Sequence, residues 1–156
     1  MNLTHPDDKW HLRFLRLAQE VASWSKDPST KVGCVLVGHD RREIHFGYNG
    51  FPSPLADSEV RLTDRAIRLA MTIHAEENAI LNAQTKLVGF RAYVTRHPCA
   101  NCAMKLIQVG IREVYYIFEE DFETRWESSL SIARAAFKEA NVLCSPFHPY
   151  HLELEV

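Results

Sequence analysis

Apolar positions along the chain change period several times, and each change marks an element. Trp10, Phe14, Leu17, Val21 and Trp24 recur at steps of three or four, which predicts one helical stripe. Asp7 or Asp8 stands before it, where a carboxylate suits the unpaired N–H groups and positive end of a helix. Lys26-Asp27-Pro28 ends it, because proline disfavours helix in the residue before it. Residues 32–37 form an apolar run rich in β-branched side chains and predict a buried strand. Gly38-His39-Asp40-Arg41 reads as a turn and residues 44–48 as the returning strand, so the two predict a hairpin. Asn49-Gly50-Phe51-Pro52-Ser53-Pro54, with two prolines and a glycine, is a loop.

Helical spacing resumes at Leu62, Ala66, Leu69 and Ile73, and a second helical stretch covers residues 75–83. Whether a turn separates the two near Thr72 is open. Residues 92–95 predict a short strand. Pro98 occupies a helix start, which tolerates its missing N–H, and Gly110 closes that helix as a left-handed cap. Residues 114–118 predict a strand, Trp126, Leu130, Ala133 and Phe137 a last amphipathic helix, and residues 142–144 a final short strand. The tail, 146–156, has no decisive period. The order α-β-β-α-β-α-β-α-β predicts a layered α/β domain. Its first two strands are antiparallel neighbours, and the later ones, separated by helices, run parallel. No repeat or flexible linker divides residues 1–156, so one domain is expected.

Composition narrows the function classes. The chain has 18 Lys+Arg against 20 Asp+Glu, a net charge of −2, with 46% apolar residues. That apolar content supports a core and excludes a disordered chain. No apolar run approaches bilayer length, and no basic segment followed by an apolar one heads the chain, so neither a membrane partner nor a secretory signal is expected. The acidic balance offers no general footprint for nucleic acid. Four cysteines without a signal point to a reduced, cytoplasmic compartment.

Two of those cysteines carry the chemistry. In Pro98-Cys99-Ala100-Asn101-Cys102 the two thiols stand at i and i+3, on one face of the first helical turn, where the helix end favours anions. Two thiolates and one imidazole make a three-ligand zinc site with the fourth tetrahedral position left for water. His74, in His74-Ala75-Glu76, is the nearest imidazole. Such a site acidifies water less than a three-histidine site does, so a base beside it becomes useful. Glu76 is placed to be that base without ligating the metal. Alone, Cys-x-x-Cys also serves redox pairs and structural zinc, and His-x-Glu is an ordinary helix start. Together and in this order they form the zinc deaminase signature. Cys34 and Cys144 read as core residues. His5, His11, His39, His45, His97, His148 and His151 are expected at the surface or in local hydrogen bonds.

With these motifs the chain resembles the cytidine/deoxycytidylate deaminases, and within them the deoxycytidylate branch. The resemblance rests on residues 25–33 (SKDPSTKVG), 47–52 (GYNGFP), 74–80 (HAEENAI), 98–107 (PCANCAMKLI) and 110–116 (GIREVYY). It implies a five-stranded mixed sheet flanked by helices, a homo-oligomer (dimer or hexamer), and hydrolysis of dCMP to dUMP. His74, Cys99 and Cys102 would hold Zn²⁺, and Glu76 would shuttle protons. Asn49 would lie against the sugar and Val32 would line the base pocket, unless Asn49 simply holds a left-handed turn and Val32 is plain core. The backbone N–H of Ala75 or Cys99 would fix the base carbonyl. A 5′-phosphate needs cationic or N–H donors, for which Lys26, Ser29 and Lys31 are candidates. Residues 53–73 depart from a Gly/Cys/Asp-rich segment of the family associated with nucleotide regulation. Control by dCTP and dTTP therefore does not carry over with the motifs. A modified dCMP, dCTP, a free base such as guanine, or a polynucleotide stand as alternative substrates.

Overall fold

A computed structural model describes residues 8–154. It contains helix α1 (Asp8–Ser23), strands β1 (Gly33–Val37) and β2 (Ile44–Tyr48), and short helices α2 (Glu59–Thr63) and α3 (Arg65–Met71). Then come α4 (Ala75–Asn82), β3 (Arg91–Val94), α5 (Ala100–Gln108), β4 (Glu113–Ile117), α6 (Glu120–Glu139) and β5 (Leu143–Phe147). A 3₁₀ turn at Pro149–Glu153 follows.

The five strands form one mixed sheet in the order β2-β1-β3-β4-β5. β1 pairs antiparallel with β2 and with β3, while β3, β4 and β5 run parallel. The expected hairpin and later parallel strands are therefore present. Parallel strands need crossovers, and α5 and α6 supply them. Strand faces alternate, so β1 sends Cys34 and Leu36 to one side and Val35 and Val37 to the other. The first side packs against Ala75, Ala79, Ala103, Leu106, Ala133 and Phe137 of α4, α5 and α6. The second packs against Leu12, Phe14, Leu15, Ala18 and Val21 of α1. Two core layers thus flank one sheet.

The buried face of α1 is rotated from the expected stripe. His11, Leu12, Phe14, Leu15, Ala18, Val21 and Ala22 are buried, whereas Trp10 and Leu17 are half-buried and Trp24 is 45% exposed. Close approach is the reason. A Cβ on Gly33 would meet Ala22 N at 2.6 Å, so the helix rests its small residues directly on the start of β1. Bulky aromatic residues cannot occupy that contact, and they are displaced to its margins. Asp8 is the first residue of α1; Asp7 and His5 lie outside the described residues.

The helix expected from Leu62 through Ile73 is two helices. Asp64 divides them, its carboxylate accepting the Ile67 N–H at 3.1 Å, as Ser58 caps α2 from Arg61 N. A capping side chain competes with helix continuation, which period alone does not reveal. Ile73 is not helical. It exchanges two backbone hydrogen bonds with Gly50, and this isolated bridge delivers the next residue, His74, to the start of α4. At the other end β5 is longer than expected and includes Pro146, tolerated because β5 is an edge strand. The tail is anchored to α1, where Arg16 donates to Leu152 O from Nε at 3.0 Å and Nη2 at 2.8 Å. His97 and His151 make the expected local hydrogen bonds, to Pro98 O and from His148 N, though both are buried, whereas His11 is buried and bonds the distant Tyr93 hydroxyl, in aromatic surroundings that the histidine spacing does not encode.

Gly47 is the second close contact, because a Cβ there would come within 2.6 Å of Ala75 O and 2.8 Å of Asn78 C on α4. Gly47→Ala is expected to lower unfolding stability by about 1–3 kcal/mol in urea denaturation, the usual cost of overpacking. Gly50→Ala, whose Cβ would meet only the Tyr48 ring at 3.8 Å, should change it far less.

Candidate active site

Two helix N-termini meet at the end of the sheet. His74 is the N-cap of α4 and Cys99 the N-cap of α5, both with extended backbone, and neither side chain makes a capping hydrogen bond. Their side chains turn toward each other instead. His74 Nδ1 lies 3.6 Å from Cys99 Sγ and 3.4 Å from Cys102 Sγ, and all three ligand atoms are within 4.8 Å of one another. A tetrahedral zinc with ordinary Zn–S and Zn–N lengths sets sulfur and nitrogen about 3.5 Å apart. The donor set therefore fits that ion in chemistry and in spacing.

Electrostatics agrees with a thiolate-ready site. Hydrogen bonding from the Cys102 thiol, followed by that from His74, brings the Cys99 thiol down to about 4 against the cost of burial. The Cys102 thiol is held up by its hydrogen bond to Cys99, then by burial and by Glu76. His74 is raised, chiefly by its hydrogen bond to Cys99. Binding a divalent cation expels whatever protons these three groups hold.

Glu76 sits in the first turn of α4 and is 5% exposed. Burial raises its carboxyl, opposed by its own backbone N–H and by His74. A carboxyl so balanced both accepts and returns a proton, which acid–base work needs. Ala75, the residue before it, is fully buried. An ion pair between Glu77 and Lys105 at 2.7 Å ties α4 to α5 close to the ligands.

The residues expected around a substrate are distributed unevenly. Asn49 is buried, and its side chain staples two loops: Oδ1 accepts from Val32 N at 2.8 Å, and Nδ2 donates to Thr30 O at 2.8 Å. Its φ is not positive, so it holds the turn by side-chain hydrogen bonding and not by left-handed backbone. Val32 is half-buried against the α4–α6 side of the core. Ser29 and Lys31 open onto a cavity of about 410 Å³ together with Arg96, Glu119, Phe122 and Arg125. Lys26 is elsewhere. It pairs with Asp57 at 2.8 Å in a separate cavity of about 390 Å³ beside Trp24, Tyr48 and Arg68.

Arg96, Phe122 and Arg125 were not among the expected residues. Arg96 precedes the His-Pro-Cys turn and carried a weak signal by that position. Arg125 reads as an ordinary charge on an amphipathic helix. Arg96 Nε is buried without a hydrogen-bond acceptor, Glu119 Oε2 standing 3.6 Å away, and its guanidinium lies 5.9 Å from the Phe122 ring centroid. Cys34 is buried as expected. Cys144 is half-buried, its Sγ 3.8 Å from His97 Nε2.

Comparison with known proteins agrees with this geometry. The family model of the cytidine and deoxycytidylate deaminase zinc-binding region matches residues 8–118. An Aliivibrio fischeri protein described as an uncharacterized deaminase in luxG 3'region is 45% identical over 135 residues, covering 86% of this chain and 90% of its own. A probable deoxycytidylate deaminase of Caenorhabditis elegans is 37% identical over 155 residues, 97% of this chain and 78% of that one. The crystal structure of dCMP deaminase from the cyanophage S-TIM5 in complex with dCMP and dUMP shares the fold, with a TM-score of 0.68 at 21% identity over 92% of this chain and 99% of that one. The match spans both ligand-bearing helices and the whole sheet up to β4, and the chain belongs to the cytidine and deoxycytidylate deaminase family.

Proposed function

We propose that this protein hydrolyses dCMP to dUMP and ammonia with a zinc ion held by His74, Cys99 and Cys102. The observation that carries the reading is a buried carboxylate, Glu76, beside a three-ligand metal site, with a cavity lined by Lys31, Arg125 and, from the β3–α5 connection, Arg96. The relatives named as deoxycytidylate deaminases support the choice of substrate.

Zinc bound here supplies a Lewis acid that makes water nucleophilic near neutral pH. Glu76 takes the proton of the attacking water and delivers it to N3 of the pyrimidine, which makes C4 more electrophilic. It then moves a proton to the amino group. The C4–O bond forms, the C4–N bond breaks, and ammonia leaves. One carboxylate serves both directions because it is buried and its partners are fixed. The N–H of Ala75 holds the base carbonyl, Val32 packs against the base, and Asn49 orders the loop over the sugar. Lys31, Arg96 and Arg125, with Ser29, bind the 5′-phosphate, since three cations converging on one cavity suit a dianion. Lys26 has no part in this cavity.

The reading includes a cytoplasmic, homo-oligomeric enzyme without a nucleic-acid partner. Four free cysteines suit a reducing compartment, and the net charge of −2 suits a small diffusible substrate. No helix among the described residues is long and apolar enough to cross a membrane.

Glu76→Gln should keep stoichiometric zinc, measured by metal analysis, and lose at least about 10²–10⁴-fold in kcat for dCMP. Near-normal turnover would remove Glu76 from the chemistry. Arg125→Ala should cost about 10–100-fold in kcat/KM for dCMP, the worth of a charge-assisted hydrogen bond, and leave the slower reaction of deoxycytidine unchanged. Equal losses on both substrates would refute the phosphate assignment. Ammonia release from dCMP, deoxycytidine, guanine and an oligonucleotide in one panel tests the substrate class.

A further inference from the structure

Helix α5 begins without a cap of its own. In α2 and α3 the N-cap side chains of Ser58 and Asp64 accept first-turn N–H groups. Cys99 occupies the same position in α5, but its sulfur is turned to His74 and Cys102. An N-cap side chain reaches the second or third N–H of a helix, so the first, that of Ala100, needs an acceptor from elsewhere. Ala100 N–H finds one in Ser129 Oγ at 3.0 Å, a partly buried contact from α6, 29 residues downstream. Ser129 stands beside Leu130 on α6, on the side that packs against α5.

The peptide on the other side of Cys99 is also held. His97 Nδ1–H donates to Pro98 O at 2.8 Å. The His97 ring is buried edge-on against Tyr116 at 4.6 Å. Cys144 Sγ lies 3.8 Å from His97 Nε2. The three ligands are therefore unequally secured. Cys102 is fixed by the helix that contains it. Cys99 lies outside the regular helix, and its Cα–Cβ direction depends on the two peptide planes flanking it.

We propose that Ser129 is a positioning residue for the metal: by accepting the Ala100 N–H it fixes the peptide after Cys99 and aims that thiolate at the ion. The role rests on the metal assignment above. It assigns to α6, which contributes no ligand, a direct hold on the zinc site.

The test uses zinc affinity, measured by competition with a chromophoric chelator, and the absorption of the cobalt-substituted protein. Wild-type protein that binds no zinc would sink the metal assignment itself. Given binding, Ser129→Ala is expected to weaken zinc affinity about 10-fold, at the low end of losses from outer-shell partners of metal ligands, and to shift the cobalt bands. Alanine favours helix more than serine does, so α6 should persist in this variant. Ser129→Thr, which keeps the hydroxyl, should restore affinity and spectrum. Ser128→Ala, on the exposed neighbour, should match wild type. The proposal is overturned if Ser129→Ala binds zinc within twofold of wild type with an unchanged cobalt spectrum. It is equally overturned if Ser129→Thr or Ser128→Ala is as weak as Ser129→Ala.

Discussion

The site depends on one constraint: two helices must bring their N-termini together while giving their capping positions to metal ligands. A helix start already gathers unpaired N–H groups and partial positive charge, which favours thiolate and carboxylate there. Placing His74 and Cys99 at N-caps uses that field but removes the usual side-chain cap. The surrounding structure supplies what is lost. Ser129 accepts the Ala100 N–H, His97 holds Pro98 O, and the Gly50–Ile73 bridge fixes the approach to His74.

Close packing brings these ends to the required separation. Gly47 lets α4 lie directly on β2, and Gly33 lets α1 lie on β1 from the opposite face. Alanines at Ala75 and Ala79, and at Ala18 and Ala22, complete the two contacts. A side chain at either glycine would force a helix away from the sheet. On α4 the displaced atoms would include the backbone of Ala75, next to Glu76. Edge strand β2 is further tied to α4, since Asn78 and Asn82 donate to its Tyr48 and Phe46 carbonyls. The same contacts therefore serve stability and the position of the buried carboxylate.

The charges around the site are sorted by tertiary structure. Glu76 is buried and raised, while Glu77, one residue on, reaches outward to Lys105. Lys26 and Lys31 belong to one loop, yet the first is neutralised by Asp57 and the second joins Arg96 and Arg125. Asn49 contributes to this separation by holding Thr30 and Val32 through both ends of its amide.

Much of the fold was legible because short-range periodicity encodes it. Strand alternation and helical spacing placed the hairpin, the parallel crossovers and most elements within two residues, but not the start of α6, the end of β5 or the split of α2 from α3. The i, i+3 thiols and His-x-Glu pointed to the candidate ligands and the candidate base, and the fold brings the three donor atoms within 4.8 Å of one another beside a buried Glu76. What spacing did not contain was decided by contacts between distant segments. The rotation of α1 followed from its seat on Gly33, the division of α2 from α3 from a local cap at Asp64, and the burial of His97 from aromatic rings on other strands and helices. Arg96 and Arg125 look like ordinary surface charges along the chain and line one cavity only when the β3–α5 connection and α6 come together. The sequence by itself singled out the candidate metal ligands and proton carrier, because those atoms lie within one turn of a helix start. Only the tertiary structure decided which cations share a cavity and which side chain accepts the Ala100 N–H, because those partners are tens of residues away and no period links them.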